Sequence, residues 1–502
     1  MSAAVEEERK YEVPTGFSVP DLASLGQVVA RRPKTLRATY YDTADLRLAR
    51  AGVSLRHRQG DAEPWTVKLP SGIPGTRHEI SQPGRPTAIP ADLLDLVTVW
   101  RRGAPIPPAA VLRTVRRAYE IRADSGEVLV ELADDEVSVV NGPTFRELEV
   151  ERIAGDTAVL DAVEAVLVAA GARGGTFVPK HVRALGPAAS APPDLPPPER
   201  VRRRATAGEV ALAAIRTDAA RILNHDPLVR LRSPVGEDDT AVHQMRVGCR
   251  RLRSDLRTFG VLLDRPRLAE LREELSWLAD LLGAARDAEV LRARLRATAA
   301  LDPLAPLDSA SVARVDAELA ARHEDALVAL DKGLASDRYL SLVDLLVATA
   351  AAPPLTALAR APAVEVLPRL VGKPWRRFAY GDGTDGADDL SPTDPDAAWH
   401  GVRIRGKRVR YAVDAVAPVL GRPFPALAAA LATVQDILGE HQDAAVAAGT
   451  WLGIAQSDPD DHLLAVTAGR LCERERAAVR AARAAFPAAW RAASRPKLTA
   501  WL

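Results

Sequence analysis

The chain has 502 residues, 47% hydrophobic and 26% charged, a globular, core-forming composition too long for one ordinary domain and suited to two or three. With 67 basic and 66 acidic residues the net charge is +1, so overall charge names no partner, whereas local concentrations of arginine do. Two cysteines, Cys249 and Cys472, exclude a disulfide scaffold and a multi-cysteine zinc site; the acidic start is no signal peptide, no apolar run reaches the roughly 18–20 residues of a membrane span, and a reducing, cytoplasmic setting is expected.

In chain order, Glu6 to Val13, Ala38 to Asp42, Val53 to Arg58, Trp65 to Leu69, Val115 to Ile121, Val128 to Ala133 and Phe145 to Arg152 read as strands. Many alternate charged with apolar residues. Such charge on so many strands fits a solvated outer sheet face or a barrel with a polar interior. Gly186 to Pro198 then holds six prolines, an extended spacer. Beyond it the period turns helical: Glu209 to Asn224, Thr240 to Leu263, Arg267 to Leu281, Ala285 to Leu301, Ser309 to Leu334 and Ala398 to Val419. Gly381 to Asp396, with six aspartates, is expected to be a mobile loop. The expected organisation is a first domain over 1–186, a linker over 187–204 and an all-α domain over 205–494.

The helical part repeats itself. His400 follows His243 by 157 residues at the head of a similar basic run, and Asp443 follows Asp287 by 156 within LGEHQDAAV and LGAARDAEV. Two motifs at nearly one offset indicate a duplication, with halves of about 205–345 and 360–494 packed around a pseudo-two-fold axis.

The strands carry one constellation. Glu6, Glu8 and Lys10 share a face, as do Arg56 and Arg58, and as do Glu147, Glu149 and Glu151. Lys68, the pair Arg77 and Glu79, and Lys180 add to it, and Glu131 and Asp135 share a face if their strand runs that far. Condensed phosphate wants this mixture, with Lys/Arg for its oxygens and carboxylates for Mg²⁺ or Mn²⁺. Phosphoryl transfer needs no protein nucleophile.

The set EEERK, YYDT (40–43), SLRHR (54–58), TVK (66–68), RHE (77–79) and ELEVE (147–151) resembles a CYTH domain of the triphosphate tunnel metalloenzymes, over about residues 1 to 185. The resemblance implies an eight-stranded antiparallel β tunnel that binds triphosphate and a divalent metal. By matching positions, Glu6, Glu8, Glu149 and Glu151 would be catalytic metal ligands. Lys10, Arg56, Arg58, Lys68, Arg77, Arg116 and Lys180 would bind triphosphate, with Arg113 and Arg117 competing for the place of Arg116. Glu79, Glu131, Asp135 and Glu147 would be further tunnel carboxylates. The family's usual proline after YYDT is Ala44 here, and His57, between two arginines, is expected to face away from the tunnel.

The second constellation is helical. At 100° per residue His243, Arg246, Arg250, Arg253 and Arg257 fall within roughly an 80° sector, opposite Met245 and Leu252. His400, Arg403, Lys407 and Arg410 repeat the pattern. Like charges so spaced repel, and few acids interleave. These runs resemble a CHAD domain over about residues 205 to 494, which implies two similar four-helix halves and a face that binds inorganic polyphosphate. The matching positions His243, Arg246, Arg250, Arg253, Arg257, His400, Arg403, Lys407 and Arg410 would form that face, with Arg251 and Arg408 at its rim.

The reading is an α+β multidomain protein, an inorganic triphosphatase that cleaves tripolyphosphate in its tunnel while its helical domain holds long-chain polyphosphate, in the cytoplasm at polyphosphate granules. Three alternatives stand beside it. One is a non-catalytic polyphosphate-binding or granule-associated protein, another a nucleoside or thiamine triphosphatase, and the third an adenylyl cyclase on the same scaffold. Nucleic-acid binding by base stacking is disfavoured, because aromatics make up 4% of the chain and none interleave with Arg246 to Arg257.

Overall fold

The computed structural model describes residues 2–14, 16–174, 178–233, 239–263, 266–353 and 355–501, without the side chains of 266 and 267. It divides into two units, Met1–Asp194 and Leu195–Leu502.

The first unit holds strands β1 (Ser2–Glu12), β2 (Gln27–Ala30), β3 (Lys34–Tyr41), β4 (Ser54–Gln59), β5 (Trp65–Pro70), β6 (Thr76–Gln82), β7 (Pro108–Arg122), β8 (Val128–Val139), β9 (Thr144–Arg152) and β10 (Arg173–Gly174). Short helices α1 (Arg47–Arg50), α2 (Ala91–Leu96), α3 (Thr98–Arg101), α4 (Ala158–Ala169) and α5 (Lys180–Leu185) accompany them. Eight strands pair antiparallel in the ring β1-β6-β5-β4-β3-β7-β8-β9, and β9 pairs back onto β1, with β2 added to β7 and β10 to β1. Closure removes the free sheet edges. Strand β6 lies outside the predicted set. Ile80 is its one buried residue, so hydrophobic alternation is missing there. The YYDT run ends β3, and Asp42 accepts the backbone N–H groups of Leu48 and Ala49 at 2.9 Å, which fixes the turn into α1.

The barrel is polar inside. Its apolar residues point outward, where Tyr11, Ile121, Leu132, Leu148 and Val150 pack against Leu160, Val163 and Leu167 of α4. Each such side chain contributes about 1.5–3 kcal/mol on burial, so α4 and the outer face hold the ring together. His57 faces away from the interior, buried edge-on against Trp65 with ring centroids 5.0 Å apart.

The second unit is all-α: α6 (Ala207–Arg230), α7 (Ala241–Thr258), α8 (Pro266–Ala299), α9 (Ser309–Leu334), α10 (Asp337–Ala351), α11 (Ala363–Tyr380), α12 (Asp396–Leu420), α13 (Phe424–Gln456), α14 (His462–Ala493) and α15 (Pro496–Thr499). Helices α6–α9 and α11–α14 form two pseudo-symmetric four-helix bundles. The relation is visible where the halves meet. Ala207 N–H donates to the Ala361 carbonyl and Ala363 N–H to that of Ala205, both at 2.9 Å, a reciprocal bridge centred on equivalent residues. Thr206 and Glu209 form a capping box that starts α6.

Two expectations change. The predicted break between Leu281 and Ala285 is absent, and α8 runs unbroken through Gly283, which lies beside the Arg246 guanidinium. The 381–395 segment is irregular but pinned. Trp490 donates to Asp388 at 2.6 Å, and Arg483 donates to the Pro392 and Asp394 carbonyls at 2.7 and 2.8 Å. Among the described residues no helix is long and apolar enough to cross a membrane.

Candidate functional site

Alternation along the closed strands turns one parity of each inward. A cavity of about 220 Å³ results. Glu6, Glu8 and Lys10 of β1, Arg56 and Arg58 of β4, Lys68 of β5, Arg77 and Glu79 of β6, Arg116 of β7, Glu131 of β8, Glu149 and Glu151 of β9, and Lys180 of α5 all line it. Asp135 and Glu147 stand just behind. They are fully buried, and bonded to the lining cations Arg116 and Lys180. Arg116 faces in, while its neighbour Arg117 turns outward, 3.7 Å from Asp134.

Register explains the pairing. Lys10 lies opposite Glu149, Lys68 opposite Glu79, and Arg116 opposite Asp135. Lys10 bonds to Glu149, Lys68 to Glu6 and, at 2.7 Å, to Glu79. Arg116 forks onto Asp135 at 2.8 and 2.7 Å and reaches Glu149 at 2.9 Å. Lys180 bonds to Asp135 and lies 2.7 Å from Glu149 and 3.4 Å from Glu147. Burial pushes Glu149 up, but Lys10, Lys180 and Arg116 outweigh it and hold it well below the usual carboxylate range.

Like charges also face each other. Glu151 lies opposite Glu8 on one side and Glu131 on the other, and Asp135 lies opposite Glu147. Burial and the nearby Glu6 push Glu151 up to about 7. Burial, with Glu149 adding to it against the pull of Lys180, puts Glu147 also at about 7. Arg77 donates to the Gly52 carbonyl at 3.0 Å, and Arg56 keeps a buried Nε without a hydrogen-bond partner among the described residues.

Four lining residues were not singled out from sequence: Tyr40, Ser54, Pro179 and His181. Tyr40 and His181 stack, with centroids 5.5 Å apart. Burial, with Arg77 and Lys10 nearby, keeps His181 neutral by pushing it down to about 3.

The donor set fits a divalent cation by chemistry, since every anionic donor is a carboxylate oxygen. No three such groups converge into a preformed cation cage among the described residues. Glu6, Glu8 and Glu149 lie against lysines instead, at Lys68 for Glu6 and at Lys10 for Glu8 and Glu149. Mg²⁺ is commonly held by one or two carboxylates together with substrate phosphates, so a cage is not required.

The second site is a groove of the helical unit between α7 and α12, about 630 Å³, with eight Lys/Arg side chains and two aspartates on its walls. His243, Arg246, Arg250, Arg253, Arg257, His400, Arg403 and Lys407 line it. Arg410 does not. It lies 4.0 Å from Asp414, one helical turn on. Arg408, placed at the rim from sequence, lines the groove, whereas Arg251 bonds to Asp414 at 3.1 Å outside it. The repeated aspartates have a matched place: Asp287 is 3.3 Å from Arg246, and Asp443 is 3.9 Å from Arg403. The histidines differ, because His400 Nδ1 bonds Gln442 at 2.7 Å, while His243 Nδ1 is buried without a partner among the described residues. Burial and the cations Arg250, Arg403 and Arg246 push Lys407 down to about 6. Arg246 and Arg403 are lowered for the same reasons, burial first.

Residues 4–172 match the CYTH domain family and residues 213–452 the CHAD domain family. An uncharacterised protein of Mycobacterium tuberculosis is 32% identical over 484 residues, spanning 88% of this chain and 87% of its own. PptA from Streptomyces chartreusis is 25% identical, spans 57% of this chain and 100% of its own, and superposes with a TM-score of 0.45. The CHAD domain of Ricinus communis is 25% identical over 57% of this chain and 95% of its own, with a TM-score of 0.41.

Proposed function

The chain belongs to the family of two-domain proteins in which a CYTH domain precedes a CHAD domain, and from that premise we propose that it is an inorganic triphosphatase that also binds long polyphosphate. The CYTH tunnel hydrolyses the terminal anhydride of tripolyphosphate. The observation that carries this reading is the partition of one cavity into seven cations and six carboxylates. A purely anion-binding cavity gains nothing from inward carboxylates, whereas a phosphate chain that arrives with a divalent cation uses both sets.

Arg56 and Arg77 take the phosphate oxygens directly, and Lys10, Lys68, Lys180, Arg58 and Arg116 exchange their carboxylates for them. Glu6, Glu8, Glu149 and Glu151 would hold Mg²⁺ or Mn²⁺. Bound there, such a cation neutralises charge building on the phosphoryl oxygens and lowers the pKa of water. Water oxygen forms a bond to the terminal phosphorus as the bridging P–O bond breaks, giving phosphate and diphosphate; positioning supplies most of the rate. The CHAD groove holds long inorganic polyphosphate through its basic face, and through it the protein associates with polyphosphate granules.

The test is phosphate release from tripolyphosphate by the full chain with Mg²⁺, with Mn²⁺ and with chelator. Cation-dependent release is expected. A folded protein that binds tripolyphosphate and releases no phosphate under any of these conditions overturns the catalytic reading.

A further inference from the structure

The duplication lets the two halves be compared position by position outside the groove. Each half has a side cavity at equivalent places. One lies among α7, α11 and α12, the other among α6, α7 and α12. Arg257 in the first corresponds to Asp414 in the second, 157 residues on, and Arg408 to Arg251 by the same offset. Arg369, Lys373 and Pro374 correspond to Ala213, Thr217 and Asp218 at an offset of 156. The same architecture has thus kept a cationic excess in one half and lost it in the other.

The first cavity, about 510 Å³, has Asp382 as its one lining carboxylate among the described residues, and that is bonded to Arg377 at 2.8 Å. Burial, with Arg408 and Arg272 adding repulsion, pushes Arg257 down to about 10. The second cavity is lined by Glu199, Asp218, Asp255 and Asp414 against Arg200, Arg202 and Arg251, of which Arg251 pairs with Asp414 at 3.1 Å, so it has no cationic excess. The two also join the groove differently. Ser254, Arg257, Ile404 and Arg408 line both the groove and the basic cavity, so its cationic wall runs on without a break. Towards the second cavity the groove shares Tyr411 alone, whose hydroxyl is occupied by Arg250 at 2.9 Å.

We propose that the cavity among α7, α11 and α12 is a second phosphate-binding subsite that receives the overhang of a linear polyphosphate leaving the groove, while its counterpart, which lacks a cationic excess, does not. This rests on the polyphosphate reading of the groove. The groove face from His243 to Arg257 spans about 21 Å at 1.5 Å per residue. A chain longer than that must leave at one end, and only the cavity among α7, α11 and α12 lines that exit with a cationic excess, six Lys/Arg to one carboxylate among the described residues, against three to four in its counterpart.

Arg369 and Lys373 line the subsite without lining the groove, and both are exposed, so their replacement leaves the fold intact. In the full chain, Arg369→Glu with Lys373→Glu is expected to weaken binding of a long polyphosphate fraction about tenfold. A fraction short enough to fit the groove is held within twofold of wild type, and the tunnel contribution cancels because it is common to both proteins. The salt dependence of long-chain binding should also lose roughly one to two units of slope. As a control for bulk charge, Ala213→Arg with Thr217→Lys should leave long-chain affinity within twofold.

Equal losses for both fractions, or no loss for the long one, overturn the subsite. A gain from the control variant as large as the loss would assign the effect to net charge instead. If single-stranded DNA shows the same cavity-dependent loss at fixed salt, the polyphosphate assignment falls. A wild-type chain that binds neither fraction overturns the groove reading and the subsite with it.

Discussion

Asp135 offers the sharpest test of the tunnel's charge balance. It is fully buried, accepts two bonds from Arg116 at 2.8 and 2.7 Å, and bonds to Lys180. Asp135→Asn keeps the shape and removes the charge. Breaking a buried ion pair from one side costs about 3–5 kcal/mol, because the partner charge is left uncompensated. Here compensation is at hand. Glu147, opposite Asp135 and 3.4 Å from Lys180, is held at about 7 and will ionise once its neighbour is neutral. The lower end of the range, about 3 kcal/mol, is therefore expected, and for a unit of this size it lowers Tm by roughly 6–12 °C.

Adding Glu147→Gln removes the substitute anion and should cost more than the two single changes together. Asp135 is held below its ordinary value because Lys180 and Arg116 outweigh its burial. Its contribution is therefore present above about pH 4, the unfolded value, and fades as pH falls through the lower folded one. Thermal unfolding of the full chain with and without tripolyphosphate is the assay. The ligand supplies the missing negative charge, so it should raise Tm more in the variant than in wild type. A Tm within about 1 °C of wild type would refute the ion-pair account, and equal ligand shifts would refute phosphate contact by these cations.

Glu149→Gln with Glu151→Gln should cut cation-dependent phosphate release roughly 100-fold or more while polyphosphate binding by the helical unit survives, measured by release and by fluorescence anisotropy. Lys407, held at about 6 by burial and its arginine neighbours, is neutral in the free groove above that pH and takes up a proton when a polyanion arrives, so affinity should fall about tenfold between pH 7 and 8. Lys407→Arg should flatten that profile in calorimetric titrations. The same depressed value works the other way on stability, where its cost is full below pH 6 and fades as pH rises towards about 10.4. Gly248→Ala should destabilise the helical unit by about 1–3 kcal/mol in denaturant titrations, because its Cβ would lie 2.8 Å from Ile222 and 3.2 Å from the Asp218 carbonyl where α6 crosses α7.

Period-two charge on β1, β4 and β9 was readable because inward side chains of one parity carry it without help from the rest of the fold. Register was not readable. That Lys10 meets Glu149 rather than Glu147 depends on where β1 leaves β6 for β9, between Glu7 and Glu8. His181 had no signal beyond its position after Lys180, and Tyr40 lay in a quoted run without a reason to face the cavity. The wheel that places Arg253 in the groove places Arg410 there as well. Yet Arg410 lies outside the groove, because Asp414 stands where the other half has Arg257 and offers a carboxylate at i,i+4. Gly283 read as a break because glycine has low helix propensity, a local cost that the packing of α8 against its neighbours overrides.

The two sites meet the same chemistry with opposite strategies. Inside the tunnel most cations already hold a carboxylate, so an incoming anion gains only the difference between old and new partners. That difference becomes favourable when something positive takes the released carboxylates, which couples anion entry to a divalent cation and discriminates against anions that arrive alone. In the groove eight Lys/Arg side chains share two aspartates, and the repulsion among them shows in Lys407, Arg246 and Arg403. Any polyanion relieves it, with no metal required. Salt should therefore weaken polyanion binding in the groove through screening, while a chelator should act on the tunnel. On the proposed reading the tunnel is the selective site and the groove the adhesive one, and the charge pairing within each, more than the number of charges, sets which is which.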